Sequence, residues 1–225
     1  MAKHSRLETL CAMKNIGLVP VFYRPDAETS CGIMRACAEG GARVIEFTNR
    51  GDRAIDVFKE LAAYRDESLP EMIIGAGSVC DAPTAAMYIA AGADFIVSPI
   101  LDRETALLCN KRKIPYSPGC GSASEIHQAH ELGVEICKIF PGEQVGGPAF
   151  AKALKAPMPW AELMPTGGVA PTDKSLEEWF SAGIAAAGIG SKLIKGSFSS
   201  KEDYKKLTDK TAEVISKISK IRTKI

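Results

Sequence analysis

Short apolar runs recur along the chain, at Leu18–Tyr23, Val44–Thr48, Met72–Gly77, Phe95–Pro99, Ile114–Pro118, Ile136–Pro141, Leu163–Gly168 and Ala185–Gly190. Their starts are about 19 to 28 residues apart, the length of one strand–loop–helix–loop unit. None alternates strictly with polar residues, as expected of parallel strands covered on both faces. Between them lie helix-forming segments such as Asp52–Tyr64 and Pro83–Ala91. One phrase recurs four times, at Glu39–Val44, Ala90–Phe95, Glu131–Ile136 and Ser181–Ala186: a helix end, a glycine suited to positive φ, then a strand. Eight such units across residues 1–225 predict a single-domain (β/α)8 TIM barrel. A doubly wound open sheet is the alternative, but no Gly-x-Gly-x-x-Gly follows the first strand. Residues 4–16 predict an extra helix ahead of the first strand. Leu207, Thr211, Val214, Ile218, Ile221 and Ile225 form the apolar side of a C-terminal amphipathic helix, expected to pack on the barrel.

The net charge is +1, from 28 Lys+Arg and 27 Asp+Glu, which argues against a basic nucleic-acid binder. Seven scattered cysteines, never spaced Cys-x-x-Cys, suggest neither a disulfide framework nor a zinc ribbon. Reduced thiols in a cytoplasm account for them. The N-terminal stretch Met1–Arg6 leads into no apolar signal core, and no window approaches 18 apolar residues, so no membrane partner is expected.

Barrel chemistry sits where strands end and the following loops begin. Lys138 stands inside the apolar run Ile136–Pro141, and burying an ammonium is costly. Desolvation lowers a lysine's pKa, and a neutral amine attacks ketones to make a Schiff base. The alternative is a stem lying along the strand with its head in solvent. Alternation puts Glu46, Thr48 and Arg50 on one face of the second strand and its exit. Glu46 there is either half of a salt bridge to Arg50 or a proton shuttle, with Arg50 clamping a substrate carboxylate. The glycine-rich exits Met164–Val169 and Gly188–Lys192 can surround a phosphate with backbone N–H groups, helped by the start of the next helix. His127 and His130 read as solvated helix residues, Cys137 as a buried thiol facing the helices, and Trp160 and Trp179 as packing residues.

These residues resemble the class I 2-keto-3-deoxy-6-phosphogluconate (KDPG) / 4-hydroxy-2-oxoglutarate aldolases. The matching pieces are Val19–Val21, Gly40–Arg50, Ile74–Val79, Val97–Pro99, Pro118–Gly119, Lys138–Pro141, Pro165–Val169 and Gly190–Ser191, in family order over residues 15–195. The resemblance implies Lys138 as Schiff-base lysine, Glu46 as acid/base and Arg50 as carboxylate ligand. It further implies Ser78 at the pyruvate end, Pro99 and Phe140 as walls, and Thr166, Gly167, Gly168, Gly190 and Ser191 at the far end of the substrate. A homotrimer, a small-molecule substrate, and no metal or other cofactor beyond the covalent imine are implied too. Departures from the family pattern fall at Asn49 and Gly51 beside Arg50, at Ser78, which keeps the hydroxyl of the usual threonine, and at Ile100, Cys120–Ser122 and Gly142–Val145. They leave Lys138, Glu46 and Arg50 untouched and surround the far end of the substrate. The expected reaction is cleavage of a 2-keto-3-deoxy sugar acid to pyruvate and an aldehyde. The alternatives are a phosphosugar isomerase or epimerase, and a non-catalytic barrel that binds a sugar-acid phosphate.

Overall fold

The computed structural model describes residues 2–224; Met1 and Ile225, the last member of the C-terminal apolar series, lie outside the described residues. Helix α1 (Arg6–Ile16) begins at a reciprocal cap: Ser5 accepts from the Glu8 N–H, and the Glu8 carboxylate accepts from the Ser5 N–H at 2.8 Å. It stops at Gly17, whose φ of 74° suits a residue without a Cβ. The chain then alternates strands and helices: β1 (Leu18–Phe22), α2 (Ala27–Glu39), β2 (Val44–Thr48), α3 (Ala54–Ser68), β3 (Ile73–Gly77), α4 (Ala82–Ala90), β4 (Phe95–Val97), α5 (Arg103–Arg112) and β5 (Tyr116–Ser117). It continues with β6 (Gly119–Cys120), α6 (Ala123–Glu131), β7 (Ile136–Ile139), α7 (Gly147–Lys155), β8 (Glu162–Pro165), α8 (Asp173–Ser181), β9 (Ala187–Ile189) and α9 (Lys201–Arg222). Asp26, Asp81, Asp102, Ser122, Thr172 and Ser200 cap six of the helices by accepting an N–H three residues on.

All strand pairings are parallel, in the orders β5-β4-β3-β2-β1-β9 and β6-β7-β8. A parallel bridge between Thr166 and Gly188 links the end of β8 to β9. The fifth predicted strand is split into β5 and β6 at Pro118. Proline has no N–H for the ladder, although the Pro118 carbonyl still accepts from Lys138 N at 3.0 Å.

Residue alternation sorts the strands into two apolar layers. Ile45 and Phe47 of β2, and Cys137 and Ile139 of β7, face the helices. Val44, Ile73, Phe95, Ile136, Met164 and Ala186 face one another on the other side, where Leu10 and Met13 of α1 close over them. The segment ahead of α1 is tied down by Asp94. Its buried carboxylate accepts from Lys3 N (2.7 Å), His4 N (3.0 Å), Ile74 N (3.0 Å) and the Arg65 guanidinium (2.6 Å). Leu207, Thr211, Val214 and Ile218 of α9 are buried, and α9 lies so close to α2 that a Cβ on Gly40 would meet the Thr208 carbonyl at 2.6 Å. Trp179 is buried as expected. Trp160 is not the packing residue that its type suggested: it sits in the turn between α7 and β8 and is 67% exposed. No helix among the described residues is long and apolar enough to cross a membrane.

Candidate active site

The inward series of β2 runs Val44, Glu46, Thr48, and that of β7 runs Ile136, Lys138. Each starts in the apolar layer that α1 closes and climbs toward the strand exits. Glu46 and Lys138 therefore stand one step above that layer, and they are 1% and 5% exposed. The solvent-exposed head that the sequence allowed for Lys138 is not what the fold produces. Its Nζ instead lies 4.5 Å from the centroid of the Phe140 ring. Space for the Glu46 carboxylate comes from β3: a Cβ on Gly77 would lie within 2.6 Å of Glu46 Cδ and 2.9 Å of its Cγ. Gly75, two residues earlier on the same face, makes room for the Phe95 ring.

Burial dominates the electrostatics. It pushes the Glu46 carboxyl above its ordinary range, against the pull of Lys138 and Arg50. It pushes the Lys138 amine below the ordinary lysine range, against the opposing Glu46 charge. Desolvation thus moves both groups toward their uncharged forms while the opposite charge of the other resists it, and a lysine whose pKa is lowered is better suited to carbonyl addition. Glu46 Oε2 has no hydrogen-bond partner, and Arg50 is exposed at the exit of β2, so a Glu46–Arg50 bridge does not hold this carboxylate in place. A buried polar atom without a partner costs about 1–3 kcal/mol, a cost that a bound ligand's polar group can offset.

Above this pair opens a cleft of about 350 Å3. Thr48, Arg50 and Phe140 line it, together with Thr166, Gly167, Gly168, Gly190 and Ser191. Gly167 and Gly168 turn with φ of 84° and 89°, a conformation that L side chains resist. Thr166 Oγ1 is buried there without a partner, over the space that Gly188 leaves by having no Cβ. Neither glycine-rich exit runs directly into a helix, contrary to the sequence expectation: α8 begins at Asp173, and only a turn at Gly190–Leu193 follows β9. The groups available at this end are thus loop amides and side chains rather than a helix terminus. Ser78 (φ 58°) and Pro99 stand at the exits of β3 and β4, outside the set that lines this cleft.

Two cleft cations were not singled out by the sequence reading: Arg24 was absent from it, and Lys192 entered only as the last residue of the Gly188–Lys192 exit. Arg24, just after β1, donates to the Tyr23 and Gly196 carbonyls at 2.9 Å each and lies 5.4 Å from the Phe198 ring centroid. Lys192 donates to the Gly168 carbonyl at 2.9 Å. Both are charged residues at strand exits, the same signal that singled out Arg50. Elsewhere, His127 is exposed beside Glu131, and Cys137 is buried against the helices. No cluster of three or more His, Cys, Asp or Glu side chains suited to a metal ion occurs among the described residues.

Known proteins bear on this arrangement. The family model described as "KDPG and KHG aldolase" matches residues 10–210. A 2-dehydro-3-deoxy-phosphogluconate aldolase from Pseudoalteromonas atlantica is 35% identical over 77% of this chain and 79% of its own. The KHG/KDPG aldolase of Escherichia coli is 29% identical over 88% of this chain and 90% of its own. Among solved structures, the KDPG aldolase of Legionella pneumophila, with pyruvate captured as a covalent carbinolamine intermediate, superposes with a TM-score of 0.82 at 27% identity. That match covers 92% of this chain and 97% of the other. The match runs from the helix that closes the inner apolar layer to the last helix, through every strand that carries a site residue, so the chain belongs to the KDPG and KHG aldolase family of carbon–carbon lyases.

Proposed function

We propose that this aldolase works through an imine on Lys138, with Glu46 as its proton shuttle and Arg50 as the ligand of the substrate carboxylate. The observation that carries the reading is the burial of Lys138 and Glu46 close enough for each charge to act on the other, with an unpartnered Glu46 oxygen, one step below the cleft residues Thr48 of β2 and Phe140 at the exit of β7. Lys138 Nζ attacks the C2 ketone of a 2-keto-3-deoxy acid, and Glu46 supplies the proton with which the carbinolamine hydroxyl leaves as water. Glu46, now a carboxylate, takes the C4 hydroxyl proton. The C3–C4 bond electrons flow into the iminium, which becomes an enamine, and the aldehyde departs. Glu46 returns its proton to C3; water then adds to the iminium to release pyruvate and the free amine, and the proton set free returns Glu46 to its starting form.

The preferred substrate is 2-keto-3-deoxy-6-phosphogluconate, which gives glyceraldehyde 3-phosphate. Its phosphate lies among Gly167, Gly168, Gly190 and Ser191. Cleavage of 4-hydroxy-2-oxoglutarate to pyruvate and glyoxylate uses the same pyruvate-forming half. Ser78 and Pro99 border the pyruvate end from the exits of β3 and β4. The strands act as one (β/α)8 barrel in a single domain: β5 and β6 run on across Pro118, and the Thr166–Gly188 bridge joins the two sheets. Seven unpaired cysteines suit a cytoplasmic enzyme, and the homotrimer belongs to the same reading. An isomerase or epimerase needs a second acid or a metal opposite Glu46, and a lysine occupies that place.

The test is borohydride reduction in the presence of pyruvate, followed by peptide mass spectrometry. A pyruvyl adduct on the Lys138 peptide, absent in a folded Lys138→Ala variant that no longer turns over, is the expected result. An unmodified Lys138, or full activity in Lys138→Ala, refutes the imine.

A further inference from the structure

A group of four lysines lines a second groove beside the active cleft. This groove, of about 530 Å3, runs between the loop before α8, the turn after β9 and the first turns of α9. Lys192, Lys195, Lys206 and Lys210 line it, against the single carboxylate of Asp203. That carboxylate is already engaged, accepting from the Ser200 N–H at 3.0 Å and the Ser200 hydroxyl at 2.8 Å in the cap of α9. Lys210 is paired with Glu213 at 2.8 Å, whereas neither Lys195 nor Lys206 forms a salt bridge among the described residues, Lys206 only lying near enough to Asp203 for its charge to be felt there.

The groove also takes in Pro171 and Thr172, where α8 begins. The nearby carboxylate Asp173 does not line the groove and is paired with Lys217 at 2.6 Å. Leu193 and Leu207 supply an apolar floor. Four lysines along one groove and an apolar floor, in a volume within the usual range of about 300–1,000 Å3 for small-molecule sites, fit one class of ligand. That class is an organic phosphate: a charged group held by lysines, which bind phosphate as point charges, and a carbon skeleton resting on the leucines.

We propose that this groove is a second site, for an organic phosphate effector, and that Lys192 couples it to the active cleft. Lys192 lines both cavities, and its ammonium is donated to the carbonyl of Gly168, one of the two positive-φ glycines at the cleft's far end. An anion in the groove competes for that ammonium. Drawing it off Gly168 frees the Thr166–Val169 turn and removes a cation from the far end of the cleft. The effector therefore raises KM for a substrate that reaches that end and leaves kcat nearly unchanged. By linkage, substrate weakens the effector by the same factor, about five-fold or more where the coupling is typical.

The test uses the intact chain and two probes, AMP and glucose 6-phosphate, with binding read by calorimetry on the resting protein. This readout stands whether or not the aldolase reading above is right. The control is the double variant Lys195→Glu/Lys206→Glu, at two exposed positions outside the active cleft. Saturable binding of either probe that weakens at least ten-fold in the double variant supports the site. A preference for AMP assigns it to nucleotides, and a preference for glucose 6-phosphate assigns it to sugar phosphates. Binding by neither probe, or binding that the double variant leaves unchanged, overturns the site. If the bound probe fails to raise KM in the wild-type chain, the coupling through Lys192 is refuted.

Discussion

Gly77→Ala places one methyl group on β3 where the Glu46 carboxylate now lies. The backbone tolerates it, since Gly77 does not have a positive φ. Space does not: the new Cβ would lie 2.6 Å from Glu46 Cδ and 2.9 Å from Cγ, inside the 3.5–4.0 Å at which carbon atoms pack. Glu46 is fully buried, so it has to leave its present rotamer, and the adjustment costs about 1–3 kcal/mol of stability, as overpacking does. The kinetic cost is larger. With Glu46 in the proposed role of proton shuttle, its displacement forfeits general acid–base catalysis, about 10²- to 10⁴-fold in kcat. Lys138 is on a different strand and keeps its amine, so borohydride still traps pyruvate, though more slowly. The assay is steady-state kcat and KM, with urea unfolding alongside, in Gly77→Ala, Glu46→Ala and the double variant. If the methyl acts only through Glu46, the double variant is no slower than Glu46→Ala and recovers stability, because truncating Glu46 makes room for it. Wild-type kcat in Gly77→Ala, or further independent losses in the double variant, would refute the reasoning.

Other consequences are equally direct. The Glu46 charge raises the Lys138 pKa against the dominant effect of burial, so Glu46→Gln moves the ascending limb of the pH profile for pyruvate trapping to lower pH; a shift to higher pH contradicts the pairing. Arg50→Ala raises KM for 2-keto acids about ten-fold or more, the loss of one charge-assisted contact worth about 1.5–3 kcal/mol, and an unchanged KM removes Arg50 from carboxylate binding. Arg65→Met leaves the Asp94 carboxylate buried with three N–H donors and no cation, a loss of about 3–5 kcal/mol measurable by urea unfolding. A change below 1 kcal/mol would show that the guanidinium is dispensable there.

The repeating apolar runs sufficed for the parallel α/β plan, because each strand buried on both faces must be apolar along its length. Lys138 and Glu46 were legible for the complementary reason: a charged residue inside such a run stands against the cost of its own burial. Strand boundaries were less legible. Pro118 interrupts the fifth run, a consequence of a ladder bond that only pairing defines. Trp160 carried no sign of its exposure, since residue type alone does not tell a packing aromatic from one in a surface turn.

The sequence by itself determined the chemistry available: one lysine, one glutamate and one arginine at strand positions, with glycine-rich exits near the end of the chain. Tertiary structure alone decided how deep each lies and what stands beside it. Gly77, a bare residue in an apolar strand, acquires its purpose only because register sets it opposite Thr48 and beside the Glu46 carboxylate. Arg24 and Lys192 are distant in sequence, yet they converge on one cleft because β1 and β9 are paired neighbours. Burial and pairing depend on contacts between segments far apart along the chain, so the desolvation that tunes Lys138 and Glu46 arises only once the chain has closed around them.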